Sequence, residues 1–97
     1  LLEALAARGV RALFNDGFNR VRYIRNDGLL LGRSAYRYFS LLCADEVCRG
    51  VTVEGGKYPL RRATLRRAQQ YAVSNEMTGN CALIEVRRGG LFVIESR

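Results

Sequence analysis

The sequence predicts a single small α+β domain over residues 1–97, with elements in the order α-ββ-α-ββ-α-ββ. Three observations lead there. Apolar residues near the N-terminus recur at helical spacing. Three pairs, Asp27-Gly28, Gly55-Gly56 and Gly89-Gly90, separate β-prone runs as hairpin turns do. Thr64, a good N-cap, heads a stripe of small residues that would let a helix sit close on an antiparallel sheet.

Residues 1–15 read as an amphipathic helix, because Leu2, Leu5, Ala6, Gly9, Val10 and Leu13 share one face. Asn15-Asp16-Gly17 is its stop signal, with Gly17 left-handed. Residues 20–33 read as a hairpin about Asp27-Gly28. Over residues 34–49, Tyr36, Tyr38 and Phe39 favour strand. The length of that run and the stripe Tyr36, Phe39, Cys43, Val47 favour helix, which is the reading adopted. Residues 51–60 read as a hairpin turning at Gly55-Gly56, pairing Val53 with Tyr58 and Val51 with Leu60. Pro59 makes that second strand an edge or its end. A helix follows from Thr64 to about Asn75. In the last hairpin, a loop at Arg88-Gly89-Gly90 places Ala82, Ile84, Val86, Phe92 and Ile94 on one face, where this helix would dock.

Composition narrows the function. The chain is 48% hydrophobic and 26% charged, ordinary for one globular core. No run is long enough for a membrane helix, and no export signal is visible, so a cytoplasmic location without a membrane partner is expected. The chain begins at Leu1, so residues are expected to precede it. There is no histidine, the commonest general base, and no nucleotide-binding or nucleophile motif. A non-enzymatic protein with no cofactor and no metal is therefore expected. Cys43, Cys48 and Cys81 read as buried thiols, with a Cys43–Cys48 disulfide as the alternative.

The net charge of +7 is concentrated. Residues 49–67 hold Arg49, Lys57, Arg61, Arg62, Arg66 and Arg67 against Glu54 alone. Fifteen of the sixteen basic residues are Arg, which suits bidentate phosphate and carboxylate contacts; a GC-rich genome would explain the preference but not the clustering. Four of these arginines would crowd the N-terminus of the Thr64 helix, an end already favourable to phosphate. Arg61, Arg62, Arg66 and Arg67, with Arg49 and Lys57 in support, form the candidate anion or nucleic-acid site. Tyr36, Tyr38 and Tyr58 are candidate stacking surfaces for single strands.

The segments KYPLRRATLRRAQQYA and CALIEVRRGGLFVIE follow the order strand, capped small-residue helix, strand, glycine turn, strand. Over residues 57–95 this resembles a pattern in small phage and mobile-element proteins, including some anti-CRISPR proteins that bind type I surveillance complexes. The resemblance implies an inhibitor's fold and carries over no functional residues. The leading expectation is a small basic binding module acting on nucleic acid or on an acidic surface of a nucleic-acid-handling complex. The alternatives are a protein–protein inhibitor anchored by Phe18, Tyr36 or Leu91, and a structural, oligomer-forming protein. The sequence leaves the oligomeric state open.

Overall fold

Apolar residues along most of this chain are buried at every second position, the spacing of a strand with one face on a core. Phe39, Leu41 and Cys43 alternate with more exposed neighbours; so do Val51 and Val53, Ala82 and Ile84, and Leu91 and Val93. A computed structural model describes residues 10–32, 34–69 and 73–97. Its strands are β1 (Val10–Asn15), β2 (Asn19–Arg25), β3 (Gly28–Gly32), β4 (Tyr38–Cys43), β5 (Val47–Glu54), β6 (Leu60–Arg66), β7 (Val73–Glu76), β8 (Cys81–Glu85) and β9 (Gly90–Ser96). A short 3-10 turn, Arg67–Gln69, follows β6. Among the described residues there is no α-helix, and none long and apolar enough to cross a membrane.

The strands form two antiparallel sheets, β1-β2-β9-β4-β7 and β3-β8-β5-β6. Ile24, Phe39, Leu41, Leu91 and Val93 from the first meet Leu29, Leu31, Val51, Val53, Ala82 and Ile84 from the second in one core. Each fully buried aliphatic or aromatic side chain of this kind contributes roughly 1.5–3 kcal/mol. Most connections carry the chain from one sheet to the other. The β4–β5 connection is tied by a disulfide between Cys43 and Cys48, whose Cα atoms are 6.1 Å apart. Two of the expected buried thiols are thus one bond, and Cys81 is free and exposed.

The α+β expectation is corrected element by element. The N-terminal helix lies mostly outside the described residues, and residues 10–15 are a strand paired with β2. Gly17 does adopt a positive φ of 87°, but in a turn between strands. There, Asp16 accepts the N–H groups of Phe18 and Asn19, which hold its carboxyl below the usual range, Asn19 first. Asp27-Gly28 joins strands in different sheets rather than a hairpin. The expected helix 34–49 is β4, a turn and the start of β5, and Gly50 serves a bulge with φ 65° rather than a helix end. β5 and β6 do pair, but Val53 faces Leu60 and Val51 faces Ala63. Thr64 caps nothing, since it lies inside β6. β8 and β9 belong to different sheets, so Phe92 and Ile94 leave the core that Ile84 enters. β6 begins directly after Pro59 and is an edge strand, where a missing N–H is harmless.

One buried charge cluster interrupts the apolar layer. Glu95, 1% exposed, accepts Arg20 Nε and Nη2 at 2.9 Å each and is also bonded by Arg22 Nη2. The hydrogen bond to Glu95 is the chief cause that raises the Arg20 pKa further above its ordinary high value. Removing the shared charge would leave two half-buried guanidinium groups, Arg20 and Arg22, without their counter-ion. Glu95→Gln is therefore expected to lose about 2–3 kcal/mol of stability. Urea unfolding measures this, and a loss below about 0.5 kcal/mol would contradict it.

Candidate functional site

The loop from Gly55 to Pro59 leaves β5 and returns as β6. It does not hang in solvent. Thr78 N–H donates to Gly55 O at 3.0 Å, Gly56 bridges Met77, and Lys57 N–H donates to Glu76 O at 2.8 Å. The loop of one sheet is thereby laced to the end of β7 in the other.

Asn75 completes the lacing with its side chain. Its Oδ1 accepts Tyr58 N–H at 3.0 Å, and its Nδ2 donates to Tyr58 O at 2.7 Å. The amide thus treats Tyr58 as a neighbouring strand would, satisfying both of its backbone groups. The same Oδ1 accepts Glu76 N–H at 3.0 Å. Asn75 is 5% exposed, and it fits only because residue 56 is glycine. A Cβ there would stand 2.7 Å from Asn75 Oδ1 and 2.9 Å from its Cγ.

Fixed this way, the Tyr58 ring projects outward and is 57% exposed. Tyr38 and Glu76 are directly opposite each other on β4 and β7, so their side chains share the outer face. Ser74, two residues before Glu76, points the same way. Tyr38, Lys57, Tyr58, Ser74, Asn75 and Glu76 line a groove of about 230 Å³. Two exposed tyrosine rings, the Glu76 carboxylate, the Ser74 hydroxyl and the Lys57 ammonium line it. The rings and the carboxylate suit a flat, positively charged ring: the aromatic faces attract it and the carboxylate balances it, while the ammonium opposes it. A larger groove of about 390 Å³ is lined by Tyr36, Arg37, Met77 and Thr78 among others. Its aromatic ring is already engaged: Arg20 lies 4.8 Å from the Tyr36 centroid, and Tyr36 Oη donates to Asn15 Oδ1.

The residues expected from sequence separate into two groups. Tyr38, Tyr58 and Lys57 come together in the groove. The arginines do not converge. Arg61, Arg62, Arg66 and Arg67 follow one another along β6 and the turn after it, about 20 Å at strand spacing. Among the described residues no α-helix begins there, only the 3-10 turn Arg67–Gln69. Arg62, with φ 47°, sits in the β6 bulge. Arg66 and Arg67 face Glu46 and Val47 at the far end of the sandwich, where Arg67 also binds Ala44 O. Arg49 bridges Arg88. β6 is an edge strand, and exposed charge there discourages pairing with another sheet. Of the apolar anchors considered, Leu91 is fully buried and Phe18 is 69% exposed. Ser74, Asn75, Glu76 and Gly56 were not anticipated. The signals available were a Gly-Gly pair too costly for a plain strand and the lone lysine beside it.

The family model for the vitamin B1 binding domain of thiamin pyrophosphokinase matches residues 26–91. Among solved structures, thiamin pyrophosphokinase from Geobacillus thermodenitrificans superposes with a TM-score of 0.84 at 25% identity, over 99% of this chain and 44% of that one. The Bacillus subtilis enzyme gives 0.81 at 21% identity, over 97% and 44%. The yeast enzyme gives 0.66 at 17% identity, over 82% and 28%; these last two show the fold alone. The chain thus spans less than half the length of these relatives. No curated protein matches significantly. These findings overturn the resemblance to phage and anti-CRISPR proteins. Among the described residues the capped helix and glycine hairpin that carried it are absent: Thr64 lies inside β6, and β8 and β9 belong to different sheets. They also replace nucleic acid or a nucleic-acid-handling complex as the expected partner. With nine strands among its described residues and a family match across residues 26–91, the chain belongs to the thiamin pyrophosphokinase vitamin B1 binding domain family.

Proposed function

We propose that the Tyr38–Tyr58 groove binds thiamin and that this chain is the vitamin-holding part of a thiamin pyrophosphokinase. The observation that carries the reading is the Asn75 clamp, which fixes Tyr58 beside Tyr38 and Glu76 in a chain of this family. Thiamin is a quaternary thiazolium joined to an aminopyrimidine, with a free hydroxyethyl arm. A fixed cation in a flat ring is attracted to tyrosine faces. Glu76 complements its charge, and the Ser74 hydroxyl suits the pyrimidine's donors and acceptors. The relatives are named for moving a pyrophosphoryl group, and this chain covers 44% of the Geobacillus and Bacillus chains. Its proposed share of that task is to bind and orient the acceptor. The expectation of a plain non-enzyme gives way to a narrower one: a substrate-binding domain of an enzyme family. A cytoplasmic location is consistent with this.

Isothermal titration calorimetry of the chain should show saturable binding of thiamin. Tyr58→Ala should weaken it about tenfold, the worth of one cation–aromatic contact of 1–2 kcal/mol, with little loss of stability. A folded chain that leaves thiamin unbound at millimolar concentration would overturn the reading.

Asn75→Ala should act differently. It strips both backbone groups of Tyr58 of their partner, so it is expected to lower stability by about 2 kcal/mol and to weaken binding as well. If Asn75→Ala left thiamin affinity unchanged, Asn75 would be a stabilising residue and not one that positions Tyr58.

A further inference from the structure

Lys57 is the only lysine in a chain with fifteen arginines, and it lies in the groove. Its ammonium stands 5.7 Å from the centre of the Tyr58 ring. Its backbone is held by Glu76 O at 2.8 Å, while its side chain is exposed on a flexible four-carbon stem. The ion pairs among the described residues join Arg20 and Arg22 to Glu95 and Arg25 to Asp45; none takes Lys57.

An unpaired cation is misplaced beside a site for a cationic ring. Lys57 and the thiazolium repel each other, so the ammonium weakens the binding of thiamin alone. The repulsion reverses when the ligand carries phosphate. We infer that Lys57 is the phosphate-recognising residue of this groove: it binds a phosphoryl oxygen of the pyrophosphoryl group on the vitamin and so favours the diphosphate ester over free thiamin. The inference rests on the thiamin reading of the groove and adds a specificity residue to it.

The choice of lysine follows from the same geometry. A guanidinium is planar and stacks flat on an aromatic face, where it would occupy the seat of the vitamin's ring. An ammonium is a compact point charge on a flexible stem; it has no plane to stack, and from 5.7 Å off the Tyr58 centroid it can swing away from the ring to a phosphate. Arginine prevails at every other basic position of this chain; at this one it would obstruct the ligand.

The test is calorimetry of the 97-residue chain with thiamin and with thiamin diphosphate, comparing wild type, Lys57→Ala and Lys57→Arg. Lys57→Ala should weaken the diphosphate about tenfold, as loss of a charge-assisted hydrogen bond does, while thiamin binds as well or slightly better. Lys57→Arg should keep some preference for the diphosphate but weaken both ligands. An unchanged affinity ratio in Lys57→Ala, with thiamin still bound, overturns the Lys57 inference alone. A wild-type chain that is folded but binds neither compound overturns the vitamin reading and this inference with it. Equal melting temperatures of wild type and Lys57→Ala exclude misfolding as the cause.

Discussion

Everything in this structure depends on burial of one apolar layer between two sheets. Ile24, Phe39, Leu41, Val51, Val53, Ile84, Leu91 and Val93 are each at most 1% exposed, and they come from both sheets. A strand contributes to such a layer only with every second residue, and a slip of one would expose its whole apolar set. The layer thus fixes the register of the inner strands. It also decides where chemistry can sit. The faces are committed to the core or to neighbouring strands, so adaptable groups collect at strand ends and in the loops that cross between sheets. The groove is built there, from the start of β4, the end of β7 and the β5–β6 loop.

The strand-forming runs are mostly visible in the sequence, but three of them read as helix, two for an identifiable reason. Phe39, Cys43 and Val47 are four residues apart. Four is close to one helical turn and is also two strand periods, so the same stripe fits either element. Leu41, halfway between Phe39 and Cys43 and 1% exposed, breaks the tie in favour of strand. Thr64 is ambiguous in the same manner, because threonine caps helices and also favours strands. The last two strands failed differently. Their apolar faces match well if they form a hairpin, and the fold sends them to separate sheets instead. Local pattern carries no information on that choice.

The site was legible only in part. Tyr38 and Tyr58 stand out as stacking surfaces and Lys57 as part of a basic cluster, but the apparent focus of that cluster requires a helix. Once residues 60–66 are a strand, the arginines string out along an edge. Asn75 was illegible in principle. Its role is to replace a strand neighbour for Tyr58, 17 residues away, across the gap between sheets. Nothing in the local sequence distinguishes it from a loop asparagine.

The clamp also explains how an exposed aromatic residue can serve as a binding surface. Ordering a loop on binding costs about 1–2 kcal/mol for each residue whose backbone is fixed. The Gly55–Tyr58 segment is already held by Thr78, Met77, Glu76 and Asn75, so that cost is met in folding. Only side-chain rotations of Tyr38, Tyr58 and Lys57 remain to be restricted by a ligand. A preformed backbone with mobile side chains lets a small site gain affinity from few contacts. It also separates two functions within adjacent residues: Tyr58, fixed by its backbone, offers a constant surface, while the lysine before it keeps a mobile charge.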